Sequence, residues 1–438
     1  VTLRQGRSPH TSATCGGPSV KTWVVSLLTA LVLASGAGWA QGDATNAAPP
    51  LQIGIILPPQ TNLDPLQAAV ATSARQGTVM AEDELGQNAA LLGMPFKTIV
   101  ETASTPEQAT AAAQALVKRG VVALIGGGSD SAVLAMTKVA DDAKIPLLNI
   151  LAPADNLRNK DCSPYLFDIA PSTAMELDAL EGWFVGSGFR RWVFVTTDDA
   201  TGKAMVDRAE QGMKQRHFAA QVTGVVRVSA DQASAAATLQ AVKKGTPDVV
   251  VLLLPAQQQL AFARAFAGAG IDAQLTGLPY PAAETRTFYK AWLAAAGEAK
   301  GAYRAEAWEA TLDSYGATQL NMRFEQRFHA PMDAASWAAY QGIKILYDTF
   351  TAGGATTSNA IVAFFENSTT VFDVWKGIGT SFRPWDHQLR QSLFLAHLEK
   401  DGSVTLVGEL PAIYRPGTSP IERLDQLGDL KGTSRCHL

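Results

Sequence analysis

Two stretches of this chain repeat one rhythm: a short, wholly apolar run followed by a longer segment with helical spacing of its apolar residues. The first reads LQIGIIL (51–57), a helical stretch from about Leu66 to Leu85, FKTIVET (96–102), a helix opening at Thr105-Pro106-Glu107-Gln108, VVALIGG (121–127), a helix over 129–142, and an apolar run within Lys144–Ile150. The second reads RWVFVTT (191–197), helix 202–216, VTGVVRV (222–228), helix 232–244, DVVVLLL (248–254) and helix 257–268. Strands that are apolar throughout are buried on both faces, and strands alternating with helices run parallel. Two such runs, separated by the Pro/Asn/Asp-rich stretch 153–172, predict an α/β fold of two doubly wound parallel-sheet lobes. Local signals agree. Thr105 is placed to cap, Pro106 to start the helix and Gln108 to close a capping box, while Gly120 ends that helix. Past about residue 300 the pattern changes to a helix at Ala334–Thr351, a small helix at 359–366 and a hairpin over 393–410 turning at Asp401-Gly402.

Composition narrows the function classes. Lys+Arg 36 against Asp+Glu 40 gives a formal charge of −4, so no basic field exists to hold nucleic acid. The three cysteines are too few for a disulfide-built scaffold, and no CxxC pair offers a zinc site. Residues 22–40, TWVVSLLTALVLASGAGWA, follow Lys21 and end in small residues, the layout of an export signal cut after Ala40. Residues 1–19 have no period and read as a stretch upstream of the true start, with 41–50 a polar linker. Export sends the protein to the periplasm, an oxidising compartment. Cys162 and Cys436 both survive the cut, so they either pair or remain two free thiols.

In open α/β sheets ligands bind beyond the carboxyl ends of the strands, where helix N-termini present free N–H groups. The loops that qualify are Pro58–Asp64, Gly126–Ser131, Leu151–Asp155, Thr197–Gly202, Pro255–Gln257 and Leu278–Glu284.

The order LQIGIILPP, ETASTPEQATAAAQALVKRGVVALIGGGSDSAV, KIPLLNILAPADNL, VFVTTDDATGKAM and AASWAAYQGIKILYDTFTAGG resembles the exported binding proteins of branched-chain amino-acid (Leu/Ile/Val) ABC transporters. The likeness covers 51–410. It implies a type I periplasmic binding fold whose lobes are joined by three crossings: 51–168 plus 300–368 for one, 169–299 plus 369–438 for the other. It implies a monomer that takes a small-molecule ligand in the cleft, uses no cofactor, is not an enzyme, and delivers to an inner-membrane permease by lobe closure. PIERLDQLGD with Cys436 close behind is similar to a branch of the family associated with PQQ-dependent (quinoprotein) alcohol oxidation. That likeness leaves a ligand sensor or a dehydrogenase accessory protein as the alternative function.

The candidate ligand contacts are Gln60, Ser129, Asp130, Ser131, Ala152, Ala154, Asp198, Thr201, Gln257 and Tyr280. Several depart from the family pattern. Asp130 falls near the expected carboxylate-holding Ser, Ala152 or Ala154 stands at the expected Thr, and Thr201 stands at the expected aromatic. The acid that meets an ammonium is not evident in LPYPAAE, since Glu284 comes late. An α-amino acid is therefore poorly matched, and a neutral, hydroxylated or cationic solute fits at least as well. Ser129, Asp130 and Ser131 either touch ligand or simply cap the next helix. Tyr280 either stacks on ligand or packs at a hinge. Asp198 and Asp199 read better as a solvated turn than as a calcium site, and Trp385-Asp386-His387 lacks metal-ligand spacing. No nucleophile elbow or P-loop is complete, which argues against an enzyme.

Overall fold

LQIGIIL forms the first strand because Ile53, Ile55 and Ile56 all find full burial, as a sheet covered on both faces requires. The computed structural model describes residues 49–61, 63–217, 219–229, 235–278, 280–297, 301–411 and 417–438; the expected export signal and most of the linker lie outside them. In chain order the elements are β1 (Leu51–Leu57), α1 (Pro65–Leu91), β2 (Phe96–Thr102), α2 (Pro106–Lys118), β3 (Ala123–Gly126), α3 (Asp130–Ala143), β4 (Leu147–Asn149), β5 (Leu166–Asp168) and α4 (Thr173–Gly186). Then come β6 (Arg191–Thr197), α5 (Ala200–Arg216), β7 (Gln221–Val228), α6 (Ala236–Lys244), β8 (Val249–Leu253), α7 (Ala256–Ala267) and β9 (Gln274–Gly277). The remainder is α8 (Tyr280–Ala283), α9 (Arg286–Ala296), β10 (Tyr303–Glu306), α10 (Ala317–Phe328), α11 (Ala334–Thr351), α12 (Ser358–Glu366), β11 (Leu393–Leu398), β12 (Val404–Leu410) and α13 (Pro420–Leu424).

The strands form three sheets: five parallel strands in the order β2-β1-β3-β4-β5, four in the order β7-β6-β8-β9, and β10-β11-β12. The first two are parallel throughout, in registers such as Ile53↔Ala123 and Val193↔Val250, and meet the expectation of two doubly wound lobes. Each reverses strand order beside its first strand, between β1 and β3 and between β6 and β8. Those reversals are the switch points at which such sheets leave a crevice. The third sheet is antiparallel, and its β11–β12 arm is the expected hairpin, with Gly402 supplying the positive φ of the turn. Its partner β10 was not evident from sequence.

Most boundaries follow from caps. Thr105 accepts from Gln108 N at 3.3 Å, but the Gln108 side chain takes its proton from Ser104 N at 2.8 Å, one residue upstream of a capping box. Asp199 accepts from Gly202 N, so α5 starts at Ala200, earlier than periodicity indicated. The first helix runs on to Leu91, six residues past its expected end. The expected start of helix 232–244 lies outside the described residues.

Helix α11 lies along α1. Their closest approach is at Gly77, where an added Cβ would collide with the Ser336 carbonyl oxygen. Asp333 and Ser336 form a reciprocal capping box on α11, and Asp333 also accepts from the Ser73 hydroxyl of α1. At the other end of the chain, Cys162 and Cys436 are joined by a disulfide with Cα atoms 5.7 Å apart. The tail leading to it is held by Asp178, which accepts from Gly428 N at 2.8 Å, and by Arg383, which donates to the Leu427 carbonyl at 2.9 Å.

Gly77→Ala should destabilise the protein by about 1–3 kcal/mol through overpacking. Gly86→Ala in the same helix, where an added Cβ meets nothing within 4 Å, should be neutral or gain up to about 1 kcal/mol. Urea unfolding of both variants checks the opposite signs. Cys436→Ser opens a cross-link between residues 274 apart and should cost about 2–5 kcal/mol in the same assay.

Candidate functional site

The carboxyl ends of the two parallel sheets face a common cleft. From the first sheet come the loop after β1, which ends at Asp64, and the turns after β3 and β4. From the second come the turns after β6, β8 and β9. The two sides meet where Gln257 Nε2, in the first turn of α7, donates to Asp64 Oδ1, the N-cap of α1, at 3.4 Å. The structure also holds a cavity of about 20 Å³, room for one water. Ile150, Leu151 and Pro153 wall it from the first sheet, together with Ala334, Ala335 and Ala338 of α11. Glu176, Pro281, Glu284 and Ala307 wall it from the other side.

Of the ten residues expected to contact ligand, the nine whose side chains are described do not line this cavity, although several flank residues that do. Ser129 caps α3, accepting from Ala132 N at 3.3 Å, and its hydroxyl lies 3.1 Å from that of Ser131. The Asp130 carboxylate accepts from Ala154 N at 3.2 Å and ties the turn after β3 to the turn after β4. Ala152 is fully buried, and its carbonyl accepts from Asn149 Nδ2 at 2.8 Å and Arg158 Nη1 at 2.9 Å. The Ala154 carbonyl accepts from the same Arg158 nitrogen at 3.0 Å. Gln60 is exposed and reaches Thr72; Asp198 and Thr201 are exposed on the turn after β6. Gln257 makes the bridge to Asp64. Tyr280 opens α8, and its side chain lies outside the described residues. Among the described residues no group of three or more His, Cys, Asp and Glu side chains is gathered as a metal would need.

Two acids reach the cavity instead. Glu176 stands in the first turn of α4, which Ser172 caps by accepting from Met175 N at 3.2 Å. Glu284 ends the segment after α8, and its Oε1 accepts from Ala307 N at 3.1 Å. Burial pushes the Glu176 carboxyl well above its usual range, and Glu284 and Asp155 add to the rise. Burial raises Glu284 to about 8 despite the Ala307 hydrogen bond, with Asp333 adding to the effect. Glu284 was seen in sequence only as a late acid, and Glu176 was not singled out. The available signal was Ser172-Thr173-Ala174-Met175-Glu176, a cap with an acid in the first turn.

An acid whose pKa rises on folding makes the native state bind more protons, so its contribution to stability falls as pH rises from the ordinary carboxylate value towards the raised one. Glu284→Gln should therefore match the parent at pH 5 and exceed it by on the order of a few kcal/mol at pH 8. Urea unfolding of both proteins at the two pH values, without ligand, measures the growing difference.

Residues 50–403 match the periplasmic binding protein family. No curated protein matches the sequence. Among solved structures, an amino-acid ABC transporter substrate-binding protein from Pseudomonas fluorescens is 19% identical, covers 90% of this chain and 100% of its own, and superposes with a TM-score of 0.72. A branched-chain amino-acid ABC transporter periplasmic ligand-binding protein from Burkholderia xenovorans is 16% identical over 88% of this chain and 99% of its own, with a TM-score of 0.74. An ABC transporter solute-binding protein from R. palustris, in complex with benzoate, is 18% identical over 89% and 100%, with a TM-score of 0.65. At these identities the likeness establishes the fold.

Proposed function

The chain belongs to the periplasmic binding protein family, and we propose that it is the solute-binding component of an ABC transporter, working in the periplasm. It takes a small molecule between the carboxyl edges of its two parallel sheets and presents the closed form to an inner-membrane permease. The observation that carries this reading is the cavity itself, walled by strand-end residues of the first sheet on one side and by Glu176, Pro281 and Glu284 on the other, with the separate Gln257–Asp64 hydrogen bond joining loops of the two sheets. Neighbours named as transporter components support transport over the sensor or dehydrogenase-accessory role.

The proposed moving bodies are 51–168 with the segment to 368, and 169–299 with 369–438. Helix α11 packs on α1 and Ser358 donates to the Val122 carbonyl at 2.8 Å, which supports grouping α11 and α12 with the first body. The tail held by Asp178 of α4 goes with the second. The pairing of β10 with β11 supports a crossing beyond Glu306 in place of one near residue 300. The Cys162–Cys436 bridge suits an oxidising compartment. The same tail carries the PIERLDQLGD stretch and supports, as a finer reading, the branch associated with quinoprotein alcohol oxidation. The protein acts as a monomer.

A thermal-shift screen of the exported chain against amino acids, organic acids, alcohols and amines tests the function. A true solute at 100 times its Kd should add about 2.7 kcal/mol of stability. No shift with any class at millimolar concentration would refute the transport reading. Gln257→Ala removes one interlobe hydrogen bond and should weaken that solute by about threefold to tenfold, corresponding to about 0.5–1.5 kcal/mol. Calorimetric titration measures the change.

A further inference from the structure

We propose that the solute is a small organic cation, an amine without a carboxylate, seated between Glu176 and Glu284. The proposal rests on the solute-binding reading and specifies the chemistry of its cavity.

Glu176 is 3% exposed and faces the cavity, and no hydrogen bond or ion pair holds its carboxylate among the described residues. Glu284 is 8% exposed, and among the described residues the backbone N–H of Ala307 is its one hydrogen-bond donor. A buried carboxylate without a counter-charge costs several kcal/mol unless it is protonated or meets a cation. The cations nearby make their direct hydrogen bonds and ion pairs with other groups. Arg158 donates to the carbonyls of Ala152, Ala154 and Ala170 and to Gln388, and lies 3.3 Å from Asp168. Arg304 donates to Gln259 and to the Gly277 carbonyl, and packs on the faces of Phe288 and Trp292 at 4.7 Å. Arg286 pairs with Glu309. Lys376 donates to Gln391 at 2.6 Å and to the Ser392 carbonyl at 3.1 Å, over the Trp337 ring. Among the described residues Arg304 Nη2 is buried without a hydrogen-bond partner, so this guanidinium acts on both glutamates through space, and neither glutamate has an ion-pair partner.

The same surroundings exclude an anion. A carboxylate placed in the cavity would meet repulsion from each of the two acids that is ionised, and at a few ångströms in a partly buried site this reaches several kcal/mol. The hydroxyls of Ser129 and Ser131 are turned to the cap of α3, and alanines stand at 152 and 154. The remaining walls are apolar, Ile150, Leu151, Pro171 and Pro281 among them, and suit the hydrocarbon body of an amine. Opening of the lobes provides the room.

Proton linkage gives a distinctive readout. Glu176 faces Glu284, Asp155, Arg158 and Arg304, and Glu284 faces Asp333, Glu306, Lys376 and Arg304. Without ligand this crowded acid side retains protons, so an incoming cation must displace at least one, and its affinity rises with pH.

Calorimetric titration of the exported chain with n-butylamine, putrescine, leucine, benzoate and ethanol, at pH 6 and pH 8, tests this. We expect n-butylamine or putrescine to bind at least tenfold more tightly at pH 8 than at pH 6. Glu176→Gln should weaken that binding at least thirtyfold while its urea midpoint at pH 8 is equal to or above the parent's, which shows it folded. Leucine, benzoate or ethanol binding as tightly as either amine overturns the cationic assignment and leaves the solute-binding reading standing. Amine binding unchanged in both Glu176→Gln and Glu284→Gln overturns the site. Silence from every class defeats the solute-binding reading and this proposal together.

Discussion

The carboxyl edge of the first sheet depends on one buried guanidinium. Arg158 is 1% exposed and donates to three backbone carbonyls, those of Ala152, Ala154 and Ala170, while its Nε reaches Gln388 at 2.9 Å. It thereby fixes the turns after β4 and β5 to each other and to the returning segment around Gln388, whose side-chain amide donates to the carbonyls of Asp168 and Ala170. Asp168 supplies the counter-charge, but burial outweighs Arg158 and raises that carboxyl to about 6. A planar fork of five donors can organise several strand ends at once, where a lysine would serve one or two. The consequence reaches the cleft: with Arg158 committed to carbonyls, its donors hold strand ends together, and its charge reaches Glu176 only through space.

Much of this architecture was legible as periodicity. Strands β1, β3, β6 and β8 read directly because burial on both faces writes an unbroken apolar run. Helices α2, α3 and α11 read because only part of each helix is buried or because their caps are plain. Helix α4 was hidden for the opposite reason. Thr173 to Glu181 is buried at every position, charges included, so no apolar face stands out against a polar one. Strand β10 was hidden by its composition, since YRAE buries Arg304 and Glu306, and charged residues depress any strand reading. Strand β5, only LFD, lies within the stretch read as a separator and was too short to register.

The site was legible as an edge and not as a set of side chains. Strand-end loops could be named because parallel sheets place them together, yet the polar residues in those loops serve locally. Ser129 caps, Asp130 holds Ala154 N, and Asp199 starts α5. The acids that reach the cavity come from the first turn of α4 and the end of the α8 segment. Residue spacing within a loop carries no information about such an encounter, because it depends on how two sheets are set against each other.

That arrangement also explains how a cavity sized for one water can serve a carrier. In this closed form the two glutamates line a largely apolar wall with no ion-pair partner among the described residues, and the cost of burial raises both carboxyls. A solute that supplies positive charge relieves this cost only when the lobes are closed around it, because in an open cleft water already solvates both carboxylates. The electrostatic gain is thus largest in the closed form, and it is this differential, more than the small apolar area, that can drive closure.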